Sequence, residues 1–581
     1  MPDDALDLSL VQVILEKFIP KGRHALIPAL HEVQAAYGYL PAPVAKEVAA
    51  ALKVPLSEVF GVIEFYSMFY SQPVKRTIVH VCNDPACAMA GSEALMKNLV
   101  HQYVGASAEA SGEGVTVERA PCLGLCELAP AIMVRDVQRG HVDASGAGKL
   151  LEEFGEKPYS ILGGSVHELT ANCGKRRPTT LTEYTSAGGY AALRKALTME
   201  PAAVIAEVKA SGLVGRGGAA FPTGLKWESA AKEPTEPKYV ICNADEAEPG
   251  TFKDRVLLEE DPHRILEGLI IASYAVGSHQ ATIFLRGEYT NALLAMTQAI
   301  DEAQAAGILG KSVLGSGFEL EVELFRGAGA YVCGEETALF EALEGKRGFP
   351  RMKPPFPTTS GLYGKPTVIN NVETLSNIPS ILIKGAADYR KVGTEKSPGT
   401  KLFCLSGDIR RPGLYEVPFG ISIRHLIYDL AGGIREGRDL KGILFGGAAG
   451  AFADATALEV TLSFEDLKAH GLPLGSGVIT VFDESRDLRD ALARLAYFFA
   501  DQSCGKCYPC QLGTRRQLEV IERVAAGRML PGDRDRLTDV GWTMTDASLC
   551  GLGQTAASAV MSALKLWPEL FVENPPAGGV A

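Results

Sequence analysis

No uninterrupted apolar run in this 581-residue chain approaches the roughly 18 residues that would predict a membrane-spanning helix. The opening stretch MPDDALDLSL is acidic and has no basic segment ahead of an apolar one, so no export signal is expected. Positive charge is in deficit: 57 Lys and Arg face 69 Asp and Glu, for a net charge of −12. That balance argues against a broad nucleic-acid footprint, although a local group of cations can still hold phosphate. No segment repeats at a fixed period. The expected compartment is the cytoplasm, where thiols stay reduced and clustered cysteines more often bind metal than form disulfides.

The cysteines, 12 in all, are unevenly spread. Cys504, Cys507 and Cys510 in SCGKCYPC form C-x2-C-x2-C, and Cys550 in SLCG supplies a fourth thiol. Four thiolates are what a cubane [4Fe–4S] cluster requires, with one tight loop holding three irons and a distant residue closing the site. A second set, Cys82 and Cys87 in VCNDPAC and Cys122 and Cys126 in APCLGLC, places two pairs on two loops. That arrangement suits a [2Fe–2S] rhomb, with two thiolates per iron. For both sets a structural zinc site remains open on spacing alone, and a disulfide is a further alternative at the C-terminal set. Cys173, Cys242, Cys333 and Cys404 stand singly and are read as small apolar residues.

Length predicts roughly three to five domains. Residues 1–74 have apolar positions three and four apart and predict a helical segment. Residues 75–160 alternate short β-rich runs with a helix, predicting a small α/β domain with cysteine loops at two strand ends. A linker is expected over 161–185. A large Gly-rich α/β domain follows over 186–398, a β-grasp-like module over 399–485, a helical bundle over 486–570 and a frayed tail over 571–581. The fold class is therefore multidomain α/β.

Within the large domain, GLVGRGGAAFPTGLKW (212–227) offers five glycines with Arg216 and Lys226, a composition that lets backbone amides approach phosphate. It is a poor Rossmann match, because the segment before it reads as helix rather than strand. FRGAGAYVCGEETALFEALEG runs from a strand through glycines into a helix, with Gly334, Glu335 and Glu336 at the helix start. ICNADEAEPGTFKDR places Asn243, Asp245, Glu246 and Glu248 directly after a strand, where open α/β sheets bind ligands. INNVETL carries the paired amides Asn370 and Asn371, and RMKPPFP presents Lys353 and Phe356 on a proline-stiffened loop.

Together these motifs resemble the NADH-oxidising flavoprotein subunit of respiratory complex I over about 185–570, while residues 5–160 resemble its small thioredoxin-like [2Fe–2S] subunit. Such fusions are familiar in the β subunit of NAD-dependent molybdenum or tungsten formate dehydrogenases and in NAD-reducing hydrogenases. The resemblance implies FMN held by Gly215, Arg216, Gly217, Gly218, Lys226, Asn243, Asp245, Gly334, Glu335, Asn370 and Asn371. It implies NAD(H) held by Phe221, Glu246, Glu248, Glu336, Lys353 and Phe356, with Glu246 assisting nucleotide placement. Two positions depart from the pattern: Ala247 where many relatives have Ser, and Ser229 where some have an adenine-stacking aromatic. All eight cluster cysteines are present, which tilts the expectation toward a formate dehydrogenase diaphorase. Its partner would be a catalytic α subunit with a pterin-bound metal and further iron–sulfur clusters. A hydrogenase or complex I subunit is the alternative, and a zinc-stapled interaction protein is the alternative of another class.

Overall fold

The computed structural model describes residues 7–103, 114–142, 144 and 159–573. The expected tail beyond 573, positions 1–6 of the N-terminal helical segment, and positions 104–113, 143 and 145–158 of the small α/β domain lie outside the described residues.

Four short helices between Ser9 and Ile63 bury an apolar face that includes Leu26, Leu30, Val44, Val48 and Val62. That face is continuous with side chains of the large domain and the C-terminal bundle, so these helices share its core. The thioredoxin-like unit is a four-stranded sheet in the order β2-β1-β3-β4, built from β1 (Thr77–Cys82), β2 (Val115–Ala120), β3 (Ile132–Val134) and β4 (Val137–Arg139). Strands β1 and β2 run parallel, and β3 is antiparallel to β1.

Residues 161–185, expected as a linker, are built into the fold. Strand β5 (Leu162–Gly164) adds in parallel to the edge of the β-grasp-like module, and Leu181–Ser186 is a helix closed by a capping box between Thr180 and Glu183. A three-residue strand of Leu-Gly-Gly carries no alternating pattern to announce it. Gly164 is required there, because a Cβ would lie 2.0 Å from the Glu416 carbonyl oxygen.

The large domain carries an all-parallel sheet, β8-β7-β6-β9, from β6 (Tyr239–Ala244), β7 (Gln280–Leu285), β8 (Glu321–Arg326) and β9 (Thr367–Asn371). Buried helices flank it, among them Pro262–Val276 and Val372–Lys384. The next module is a six-stranded mixed sheet, β13-β12-β14-β10-β11-β5, from β10 (Thr400–Gly407), β11 (Gly413–Pro418), β12 (Leu440–Phe445), β13 (Ala451–Ala453), β14 (Val478–Asp483) and the inserted β5. The helix expected within SIRHLIYDLAGG is a π-helical turn, His425–Leu430. The bundle holds Leu488–Gln502, Tyr508–Ala525, Asp533–Ala547 and Ser558–Leu566. The described start of the expected tail is anchored rather than frayed: Phe571 is fully buried, and the Glu573 carboxylate accepts from the Arg534 backbone N–H at 2.9 Å.

Candidate redox site

The crevice at the carboxyl ends of the parallel strands is the position where open α/β sheets bind ligands. It measures about 980 Å³. The register of β6 against β9 sets Asn243 beside Asn371 and Cys242 beside Asn370, which brings the amides of two separate motifs to one place. Asn243 donates to the Gly334 carbonyl at 2.9 Å. Asn370 gives its oxygen to the Trp227 indole N–H at 2.8 Å, leaving its amide nitrogen for a ligand. Asn371 caps the helix Val372–Lys384 by accepting from the Glu373 N–H at 3.0 Å.

The glycine loop closes on itself, with the Gly215 N–H donating to the Phe221 carbonyl at 2.9 Å. Gly217 lies where a Cβ would be 3.0 Å from the Asn371 Cβ, and Gly218 has φ +132°. Lys226 donates to the Ile369 carbonyl at 2.9 Å, and burial pulls its ammonium below the ordinary range. Glu335 caps the helix Glu336–Leu343, and Lys353 bridges Glu335 at 2.9 Å and Glu336 at 2.6 Å. Phe221 and Phe356 leave 53% and 60% of their surfaces exposed on the cleft, available to a flat ligand. The Ser229 hydroxyl donates to Thr358 at 3.1 Å.

Of the residues expected to hold FMN or NAD(H), Gly215, Gly217, Lys226, Asn243, Gly334, Glu335, Asn370, Asn371, Phe221, Glu336, Lys353 and Phe356 line this cleft. The rest do not. The Arg216 guanidinium lies over the Phe419 ring at 4.7 Å and donates to the Pro398 carbonyl at 2.8 Å, joining the large domain to the β-grasp-like module. Glu246 accepts from the Asp254 and Arg255 N–H groups, each at 2.9 Å, and from Thr251. It caps the helix Lys253–Glu260 instead of facing the cleft. Glu248 accepts from the Tyr331 hydroxyl at 2.5 Å and the Ala449 N–H at 2.9 Å. Desolvation pushes Glu246 and Glu248 up to about 7 and Asp245 up to about 8.

Leu549, Cys550, Gly551 and Gln554 form one wall of the cleft. Cys550 also lines a second, small cavity with Cys504, Cys507 and Cys510. Three of these thiols lie where the chain enters the helix Tyr508–Ala525, with Pro509 in its first turn and Gly505 at φ +77° making the bend. Burial pushes Cys510 up to about 12 and Cys550 up to about 11, so a cation is needed to hold them as thiolates. A Cβ on Gly553 would lie 2.8 Å from the Cys510 Cβ, so only glycine fits beside the site.

Cys82, Cys87, Cys122 and Cys126 are all buried, at the end of β1, in the helix Pro85–Met89 and in the loop after β2. The Cys122 and Cys126 sulfurs are 3.2 Å apart. Cys82, Cys87 and Cys126 share a small cavity with Gly250, Leu444, Thr480 and Leu495, so the thiols face the flavin domain, the β-grasp-like module and the bundle together. Three side chains outside the expected set fix the ligand loop. Arg255 donates to the Gly124 carbonyl at 2.8 Å and to Glu127 at 2.6 Å, Arg286 donates to the Cys122 carbonyl, and the Tyr289 hydroxyl fills the space a Gly124 Cβ would take. Arg255 lies inside the quoted FKDR stretch, but nothing local says that its partner is a carboxylate 128 residues away.

Three protein-family models match the chain: the Nuo51 FMN-binding domain over 208–380, the thioredoxin-like [2Fe–2S] ferredoxin over 11–155 and the NADH-ubiquinone oxidoreductase-F iron–sulfur binding region over 490–574. The NADH-quinone oxidoreductase F-subunit 2 of Rhizobium meliloti is 48% identical over 395 residues, which is 68% of this chain and 94% of that protein. The chain belongs to the family of NADH-quinone oxidoreductase F-subunits. Another relative is the NADP-reducing hydrogenase subunit HndC of Solidesulfovibrio fructosivorans, 45% identical over 68% of this chain and 80% of its own length. One chain of a solved NAD⁺-reducing [NiFe]-hydrogenase in the air-oxidised state superposes with a TM-score of 0.82 at 32% identity, covering 95% of each chain.

The fold is the expected multidomain α/β assembly, and the [2Fe–2S] family model runs across both the N-terminal helices and the small sheet. The zinc-stapled reading falls with these matches. As a member of that family the chain is an NADH-binding electron-transfer subunit that takes FMN, one [2Fe–2S] and one [4Fe–4S] cluster. The donor sets fit: each group of four cysteines meets at one place, and the cleft offers amides and glycines where a phosphorylated flavin needs them. Among the described residues no helix is long and apolar enough to cross a membrane.

Proposed function

We propose that the chain is the diaphorase subunit of a cytoplasmic formate dehydrogenase, exchanging electrons between NAD(H) and a partner that oxidises formate at a molybdenum- or tungsten-pterin centre. The observation that carries the diaphorase role is Cys550, which belongs at once to the nucleotide-sized cleft and to the [4Fe–4S] thiol cage. Bound FMN supplies the exchange between a two-electron hydride and the single electrons that iron–sulfur clusters carry.

The chain's own part is geometry. Gly215 and Gly217 let backbone amides approach a phosphate, and Lys226 adds a cation. Asn243 and Asn370 present amide groups at the strand ends to hold a polar ring edge. Phe221 and Phe356 offer ring faces to the nucleotide. Lys353 orders Glu335, whose other oxygen caps the helix, and Glu336, whose remaining oxygen can accept from a ribose hydroxyl. Glu246 and Glu248 act from behind the cleft, through the helix start and Tyr331. No nucleophile is required.

The complete N-terminal cysteine set supports the formate reading. The superposition across 95% of a hydrogenase chain favours a second reading, in which the partner oxidises hydrogen. The isolated, cluster-loaded chain is expected to reduce ferricyanide with NADH and without any partner; failure with FMN and iron present would overturn the diaphorase role. The co-purified complex separates the donors. Formate-driven NAD⁺ reduction with stoichiometric molybdenum or tungsten supports the first reading, and hydrogen-driven reduction with nickel replaces it by the second.

A further inference from the structure

A small void lies behind the cleft where three cofactor-bearing units meet. It is lined by Pro121, next to the ligand Cys122; by Asp245, Ala247, Arg286 and Glu288 of the large domain; by Tyr331; and by Gln502, two residues before Cys504. Its space for the centre of a water molecule is about 10 Å³, close to the lower bound for one ordered water.

Three polar atoms in its lining residues make no hydrogen bond within the protein: Asp245 Oδ2, Arg286 Nε and Glu288 Oε2. Arg286 and Glu288 are more than nine-tenths buried, at 2% and 7% exposure. Leaving a buried polar atom unmatched is costly, and a water-sized void whose lining residues leave one guanidinium N–H and two carboxyl oxygens unmatched is an arrangement a bridging water satisfies, since water both donates and accepts. The side chains' other bonds hold them in place. Arg286 donates to the carbonyls of Cys122 and Glu246 and to the other Glu288 oxygen, and Gln502 accepts from the Tyr331 N–H at 3.1 Å.

We infer that this void binds one structural water molecule, which joins Asp245 behind the flavin cleft to Arg286 and Glu288 behind the [2Fe–2S] ligand loop. The inference rests on the reading of the two cofactor sites but not on which donor the partner oxidises. Arg286 is then a positioning residue: the water supplies the contact its Nε lacks, its Nη2 grips the Cys122 carbonyl and its Nη1 the Glu246 carbonyl. Ala247 also lines the void and carries only a methyl side chain.

A high-resolution structure of the FMN- and cluster-loaded protein is expected to show one isolated peak within hydrogen-bond distance of all three atoms. No peak, where other buried waters are visible, would overturn the inference, as would a peak with the short contacts of a metal cation. Ala247→Ser is expected to bring a hydroxyl into the space, displace the peak and leave the EPR spectrum of the reduced [2Fe–2S] cluster unchanged. Ala247→Val fills the same space with carbon and is expected to remove the peak and shift that spectrum. Persistence of the peak in both variants counts against the site. Cluster and FMN content, measured on the same samples, separates failure of this inference from failure of the cofactor assignments.

Discussion

Glu248 shows how a single carboxyl couples the site to pH. Burial opposes its ionisation, and the bonds from Tyr331 and Ala449 only partly offset that, so its value stands at about 7 against an ordinary 4.5. The folded protein therefore keeps a proton that the unfolded chain releases, and this group's stabilisation is lost as pH rises between those two values. Glu248→Gln never ionises; its oxygen still accepts from the Ala449 N–H, and its NH2 group can donate to the Tyr331 hydroxyl oxygen. The variant is expected to gain on the wild type by roughly 1–3 kcal/mol between about pH 5 and about pH 8. Thermal unfolding of both proteins across that range is the check, and a difference that stays flat would show that Glu248 titrates as an ordinary surface acid. The same residue marks a limit of sequence reading. Its motif gave its neighbourhood correctly, but the direction of its side chain depends on Tyr331 and on a loop some 200 residues later, where Ala449 lies.

At the level of elements, the [2Fe–2S] loop and the helix Lys253–Glu260 are held together by Arg255 and Glu127, both buried. Removing one member of a buried pair leaves the other charge without compensation, at about 3–5 kcal/mol. Arg255→Met is expected to lower the unfolding temperature and to loosen the small domain, seen as faster loss of the [2Fe–2S] signal to a chelator. Adding Glu127→Gln should recover part of that loss. If the single variant holds its cluster as long as the wild type, the pair does not dock the domain. The strand–loop–helix runs around Asn243 and Gly334 and the paired amides were legible because each lies within a short stretch, and both cysteine sets because each contains a tight local spacing, C-x2-C-x2-C in one and C-x4-C with C-x3-C in the other. Strand β5 and the inward turn of Arg216 were not legible, because each is decided by a partner far along the chain: Glu416 beside Gly164, and Pro398 and Phe419 around Arg216. The capping role of Glu246 has its partners only eight and nine residues on, but the Pro-Gly turn that folds the helix start back onto it has no periodic signal.

Across the whole molecule, the β-grasp-like module does more than pack beside the flavin domain. Lys401, in β10, enters the large domain's interior and pairs with Glu373 at 2.7 Å; Lys253 approaches the same carboxylate at 3.3 Å. Lys253 also pairs with Asp254 at 2.6 Å and donates to Asn371 at 3.2 Å, and Asn371 donates to Asp254 at 2.6 Å. All four charged side chains are almost completely buried. Burial alone would raise Glu373, yet Lys401 and Lys253 hold it below the ordinary range, so it stays ionised. A cation from one module thus orders an amide on the wall of the cleft formed by another. Lys401→Met keeps most of the side chain's volume and leaves Glu373 with Lys253 alone. FMN is then expected to bind about tenfold more weakly, equivalent to about 1.4 kcal/mol, because Asn371 loses part of its fixed position. Flavin fluorescence released on dilution measures this directly and needs neither NADH nor a partner. Unchanged flavin retention in a folded Lys401→Met protein would mean that the module supports the site by packing alone.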